Sequence, residues 1–223
     1  FDRVRFAWAF HPWVELGGDI LNVFHVDPRH VGFYLLDVSG HGVPAALLST
    51  ALSRVLTPLE DQTAPVRRVV EGSPPSHRAV PPREVVAELN ARFPRLRGTS
   101  QFFTMVYALL DLETFELRYV RAGHPTPILV RASGSTEELA MESPAVGVKP
   151  DAQYWEGSVA LSPGDRLYLY SDGVTEAMNA EGQEFQTDRL AKILGTHATS
   201  SLEESLTGVS AAVHSWCTPL KPG

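Results

Sequence analysis

Residues 31–37 read VGFYLLD, a six-residue apolar run closed by an acid. A run so short and so apolar, bounded by turn residues, predicts a strand covered on both faces. Asp37 at its end is costly to bury unless it is paired or metal-bound. Next, SGHG loops into PAALLSTALSRVL, where Pro44 suits the first helical turn and Ala45, Leu48, Leu52 and Val55 recur at helical spacing. A strand ending in an acid, a glycine loop and a buried helix thus come in direct succession.

Other segments fit around this frame. Arg3 to Phe10 alternates, with Val4, Phe6, Trp8 and Phe10 on one side, and predicts a half-buried strand. Asp19 to Val26 predicts a second strand and Asp27-Pro28-Arg29 a turn. Residues 57–82 carry six of the seventeen prolines and read as a mobile surface insertion within one domain, because core patterning resumes beyond them. Glu84 to Phe93 predicts an amphipathic helix. FFTMVYALLD and FELRYVRAG, joined by LET, predict a hairpin. PILVR, YWEGSVAL and RLYLYSD add strands, and 188–193 and 202–216 read as helix. The order of strands, helices, strands, helices favours an α+β fold with antiparallel sheets covered by helices over alternating β-α units. Eight or so strands suggest two sheets packed face to face.

Composition narrows the classes. With 43% hydrophobic residues in 223, the chain can bury a substantial core. A net charge of −7 without like-charge runs argues against nucleic acid as a partner. No apolar stretch approaches the roughly 18–20 residues of a membrane helix. The single cysteine, Cys217, excludes an internal disulfide framework, fits a cytoplasmic setting and reads as an incidental buried thiol. The opening FDRVRF has neither an initiator Met nor a signal-peptide pattern and reads as one domain cut from a longer protein.

Three aspartates share one local design. Asp19 follows Gly17-Gly18 where a strand begins, Asp37 precedes VSGHG, and Asp172 ends RLYLYSD before Gly173. Carboxylates at strand ends beside glycines can converge on a hard divalent cation such as Mg²⁺ or Mn²⁺. Asp next to Gly is also ordinary turn chemistry. Residues 40–45 further satisfy G-x-G-x-x-A, the dinucleotide-binding fingerprint. Against it, Asp37 would repel a pyrophosphate, and the helix leads into the proline-rich stretch instead of a second parallel strand.

GGDILNVF, FYLLDVSGHGVPAALLS, FFTMVYALLDLETFELRYVRAGHPTPILV and PGDRLYLYSDGVTEAMNAEGQEF occur in that order. From about residue 4 to 190 the chain resembles the metal-dependent phosphatases of the protein phosphatase 2C (PPM) superfamily, in their SpoIIE/RsbU branch. The resemblance implies a central antiparallel β-sandwich flanked by helices, in α-β-β-α layers. It implies hydrolysis of phosphoserine or phosphothreonine on a partner protein by a hydroxide bridging two Mn²⁺ or Mg²⁺ ions. Carried over, Asp37 bridges the metals, the Val38 carbonyl completes one of them, Asp172 holds the other, and Asp19 joins the first metal's shell directly or through water. Asp37 and Asp172 are then the catalytic pair. His41, in the loop beside Asp37, is either a proton donor to the leaving group or loop structure. His124 in RAGHPTP reads as a structural hydrogen-bonding residue at a strand end, and both histidines stay off the catalytic set.

The resemblance also implies partners: a phosphorylated STAS-type anti-sigma-factor antagonist and an upstream sensor or receiver domain in the same chain. It leaves a homodimer open. Members of the branch usually end in a strand beginning Asp-Asp that supplies another ligand, whereas here the sequence reads HSWCTPLKPG. A weakened second metal site and low activity are therefore expected of this stretch alone. The alternative to an enzyme is a catalytically degenerate phosphatase-fold binding module. A small-phosphate-ester hydrolase is a minor third reading.

Overall fold

VGFYLLD forms the strand its composition predicts, within an α+β chain whose sheets are antiparallel. The computed structural model describes residues 2–10, 17–57, 64–70, 76–93 and 101–218. Along them run β1 (Ile20–His25), β2 (His30–Val38), α1 (Val43–Leu56), β3 (Arg67–Val70), β4 (Ser76–Ala79) and α2 (Pro82–Arg92). Then come strands β5 (Phe103–Asp111), β6 (Glu116–Ala122), β7 (Ile128–Val130), β8 (Thr136–Glu138), β9 (Gly157–Ala160) and β10 (Arg166–Tyr168). Helices α3 (Asp172–Thr175), α4 (Thr187–Thr196) and α5 (Leu202–Cys217) complete the order. Contacts divide the described residues into two compact units: those of 12–124 and 140–161, and those of 1–11, 125–139 and 162–223.

The first unit is built on a five-stranded sheet of order β1-β2-β5-β6-β9. Its longest ladder sets β2 against β5, from His30 opposite Asp111 to Val38 opposite Phe103. Tyr34, Leu36 and Val38, on one face of β2, join a core with Leu52 and Leu56 of α1 and Val85, Val86 and Leu89 of α2. Val31 and Phe33, on the other face, are also buried, so the strand is covered on both sides. Each such side chain contributes about 1.5–3 kcal/mol on burial. The β5–β6 hairpin closes at Asp111, whose Oδ1 accepts from the Glu113 and Thr114 backbone N–H groups. Because β2 pairs antiparallel with both β1 and β5, the G-x-G-x-x-A match lies in no parallel β-α-β unit, and the dinucleotide reading falls. The glycines serve the backbone instead: Gly40 and Gly42 have φ of +93° and +81°, and Gly42 is the N-cap of α1.

The proline-rich stretch contains the β3–β4 hairpin, with Ala64, Val66 and Val80 buried in the main core. Residues 58–63 and 71–75 of the expected insertion lie outside the described residues. Asp27 ties the hairpin to the β1–β2 turn. Its carboxylate accepts from the Arg29, His30 and Ala79 backbone N–H groups and meets His30 Nδ1 at 2.9 Å.

The second unit has a three-stranded sheet of order β10-β7-β8, with α4 packed on β7, β8 and α5. Ile128, Val130, Tyr170, Phe185, Leu190 and Leu194 form its core. A capping box starts α5: Glu204 N–H donates to the Ser201 hydroxyl, and Ser201 N–H to the Glu204 carboxylate. Arg131 pairs with Asp165 at 2.9 Å and with Glu137 at 2.9 Å. Two expectations fail in this unit. Residues 3–10 form no strand, and Trp8 and Phe10 are 66% and 54% exposed, because alternation by itself makes no ladder. Cys217 is exposed, not buried, because it occupies the outward side of the last turn of α5. Among the described residues no helix is long and apolar enough to cross a membrane.

Candidate metal centre

Asp37 is the penultimate residue of β2, and Asp19 immediately precedes β1. The β1–β2 ladder sets Ile20 opposite Leu36, so one more step sets Asp19 opposite Asp37. The Val38 N–H donates to the Gly18 carbonyl at 3.4 Å. That bond brackets Asp19 and Asp37 as a non-hydrogen-bonded pair, the arrangement in which opposed residues come closest, about 4.5 Å between Cα atoms. Like charges directly opposite on a sheet are destabilising. A cation between them reverses the sign.

Gly18 shows the same design from below. A Cβ there would meet the Val38 carbonyl oxygen at 2.5 Å and Asp37 Oδ1 at 3.1 Å. Any side chain would therefore fill the space beside both oxygens. Two half-exposed carboxylates and a strand-end carbonyl form a hard, all-oxygen donor set, which suits Mg²⁺ or Mn²⁺. Asp19, Asp37 and Val38 thus fit the metal that the resemblance implies.

The row continues across the sheet. Thr104 of β5 stands opposite Asp37, and its Oγ1 lies 2.8 Å from His124 Nδ1. His124 is 2% exposed, as a structural residue at a strand end should be. Sequence reading missed Thr104, whose only signal is a small hydroxyl residue in the otherwise largely apolar FFTMVYALL. Ser39 locks the loop after β2: its N–H donates to the Phe102 carbonyl at 2.9 Å, and its Oγ accepts from Phe102 N–H at 3.0 Å. His41 is exposed in that loop.

Asp172 belongs to the second unit and is the exposed first residue of α3. Its carbonyl accepts from Glu176 N–H at 2.8 Å and from the Thr175 hydroxyl at 3.2 Å. Among the described residues no three His, Cys, Asp or Glu side chains gather as a metal group. The sheet itself therefore brings together Asp19, Asp37 and the Val38 carbonyl, and Asp172 stands on separate framework.

Comparison with known proteins identifies the fold and the family. The fold is that of PP2C phosphatase domains: the SiaA-PP2C domain of Pseudomonas aeruginosa superposes with a TM-score of 0.73 at 21% identity, over 90% of this chain and 74% of that one. The chain belongs to the Stage II sporulation protein E (SpoIIE) family, whose model matches residues 27–220. It is 27% identical over 175 residues to the phosphoserine phosphatase RsbP of Bacillus subtilis (strain 168), covering 78% of this chain and 40% of that protein. It is 26% identical over 199 residues to the phosphoserine phosphatase RsbU of the same organism, covering 89% of this chain and 54% of that protein. The chain therefore spans about half or less of the length of these relatives.

Proposed function

We propose that this chain is a metal-dependent phosphatase domain that removes phosphate from phosphoserine or phosphothreonine on a regulatory protein. Its target is a STAS-type anti-sigma-factor antagonist, and it acts in the cytoplasm as the output of a bacterial signalling protein whose sensor or receiver domain lies elsewhere in the chain. The observation that carries the reading is the Asp19–Asp37 pair, opposed across β1 and β2 beside the Val38 carbonyl, with Gly18 leaving the space clear.

Two divalent cations, Mn²⁺ or Mg²⁺, would supply charge to the phosphoryl oxygens and lower the pKa of water. Asp37, Val38 and Asp19 are the proposed ligands on the sheet, and Asp172, on the resemblance, is a further proposed ligand. Because β2 is paired on both sides, Asp37 needs no reorganisation as charge develops on the phosphoryl group, which is where preorganised electrostatics act most strongly. No side chain need become a covalent nucleophile, and Asp37 and Asp172 act as holders of charge.

The test is Mn²⁺-dependent hydrolysis of p-nitrophenyl phosphate, with Asp37→Asn as the blank, and then loss of phosphoserine from a phosphorylated STAS protein. Turnover that requires both Mn²⁺ and Asp37 supports the reading. A second reading, a phosphatase fold that docks its partner without turnover, draws on the exposed Asp172 and on the lack of a three-acid group among the described residues. Partner binding with no turnover above the Asp37→Asn blank on either substrate would select it.

A further inference from the structure

Asp172 is held unlike Asp37. Helix α3 has four residues and none is buried; only the half-buried Val174 packs it against the core. The loop beyond it adds to that hold. The chain from 176 to 186 folds back on itself: Phe185 N–H donates to the Ala177 carbonyl and Gln186 N–H to the Thr175 carbonyl, both at 2.8 Å. At the tip, Asn179 N–H donates to the Gln183 carbonyl, and Asn179 Oδ1 accepts from the Glu181 and Gln183 N–H groups. Phe185 anchors the returning arm in the core at 1% exposure.

One side chain from outside closes both arms. The indole N–H of Trp216, in the last turn of α5, donates to the Ala177 carbonyl at 3.1 Å and to the Gln183 carbonyl at 3.2 Å. Its ring meets Phe185 edge-on, with centroids 6.1 Å apart. The Arg189 guanidinium lies 3.9 Å over the Trp216 ring while its Nε donates to the Phe185 carbonyl at 3.2 Å. The Ala177 carbonyl is only five residues beyond Asp172, and the intervening turn is bonded back to the Asp172 carbonyl through Glu176.

We infer, on the reading of Asp172 as a metal ligand given above, that Trp216 is a positioning residue for that carboxylate. Its N–H clamps the two arms of loop 176–186 and so sets where α3, and Asp172 on it, stands. Arg189 stacks on the face of the indole while bonded to the same loop. The ring supplies packing and the N–H supplies the position, and these two roles can be separated by substitution.

The experiment is calorimetric titration of Mn²⁺ into the wild-type chain, Trp216→Phe, Asp172→Asn and the double variant, with thermal melting of each in EDTA. Trp216→Phe keeps an aromatic ring against Phe185 and loses the N–H. It is expected to weaken Mn²⁺ binding about tenfold, the usual effect of removing an orienting partner. Its melting temperature should stay within about 4 °C of wild type. In the Asp172→Asn background the same change should have no further effect on affinity. Arg189→Leu should shift affinity in the same direction by about threefold. Wild-type affinity in Trp216→Phe, or an equal loss with and without Asp172, overturns the positioning role alone. If Asp172→Asn binds Mn²⁺ as wild type does, the ligand reading of Asp172 fails and the clamp fails with it.

Discussion

Asp37 stands near the end of a nine-residue strand paired on both sides, whereas Asp172 opens a four-residue helix with no buried residue. In the first unit the proposed donor atoms are placed by backbone ladders, and one of them, the Val38 carbonyl, is backbone itself. In the second unit the acid is placed by a folded-back loop, closed by a few backbone bonds and by one indole that donates to both arms. Ladder bonds are many, short-range and insensitive to any single side chain. A loop with few bonds leans more heavily on the one N–H that joins its arms. Sensitivity of turnover to mutation should therefore be lopsided: in the sheet unit changes to the proposed donors or to Gly18 should dominate, and in the loop unit distant changes should matter too.

The largest effect is expected at the sheet donors. Asp37→Asn should lower phosphatase turnover at least about 100-fold, as loss of a preorganised charged group commonly does. Gly18→Ala should approach the same loss and also destabilise the fold by about 1–3 kcal/mol, since its Cβ would meet backbone that cannot yield. Turnover assays and denaturant titration read the two together. Near-wild-type turnover in Gly18→Ala would break the comparison, because the cradle would then be tolerant. Next comes Asp27→Ala, which strips an acceptor from three backbone N–H groups and releases the β3–β4 hairpin. A loss of about 2–3 kcal/mol in urea unfolding is expected, with turnover at saturating Mn²⁺ unchanged.

Acid should act on both units, but unequally. The Arg29 guanidinium holds the Asp111 carboxyl well below the usual carboxylate range, aided by the Glu113 and Thr114 N–H groups. Burial works to raise the Asp165 carboxyl, but the Ser162 N–H, the Arg131 guanidinium and the Ala132 N–H outweigh it and hold it low. Both carboxyls ionise more readily folded than unfolded. The stability they contribute is thus present above the unfolded value of about 3.9 and is lost as pH falls through the folded values. Urea midpoints should stay level from about pH 7 to 5 and decline below about pH 4. Asp165→Asn should blunt that decline more than Asp111→Asn, because the Asp165 side chain is 3% exposed and Arg29, partner of Asp111, is 44% exposed. The smallest effect belongs to Tyr107→Phe. That hydroxyl is buried in the sheet unit's core without a hydrogen-bond partner among the described residues, so its removal should leave the melting temperature unchanged or raise stability by up to about 1 kcal/mol.

Most of the sheet unit was legible in the sequence, because its strands carry their burial in their composition. VGFYLLD, FFTMVYALLD and the 43–56 helix announce which faces are covered, and the acid closing the first of them marks the site. Elements whose stability comes from elsewhere were not legible. Strand β8, Thr136–Glu138, is polar and exposed, and its partners, β7 and α4, leave no apolar pattern in it. The β3–β4 hairpin hides among prolines, and the buried Val66 and Val80 at its base are too isolated to show a period. Residues 3–10 err the other way, with a strand's alternation and no ladder. At the site, the three aspartates could be picked out by their glycines. The opposition of Asp19 to Asp37, and the indole beneath the Asp172 loop, are relations between distant residues that spacing does not encode.

The register of β2 also guards the site. Side chains alternate across a strand, so sliding β2 by a single residue against its neighbours would swap its faces, putting Asp37 among the helix-facing apolar groups and Leu36 where the acid belongs. A mispaired chain would therefore lose the opposed acids altogether. If the pair holds a divalent cation as proposed, refolding in the presence of that ion would favour correctly threaded molecules over slipped ones, and the ion would act as a proofreader of the fold.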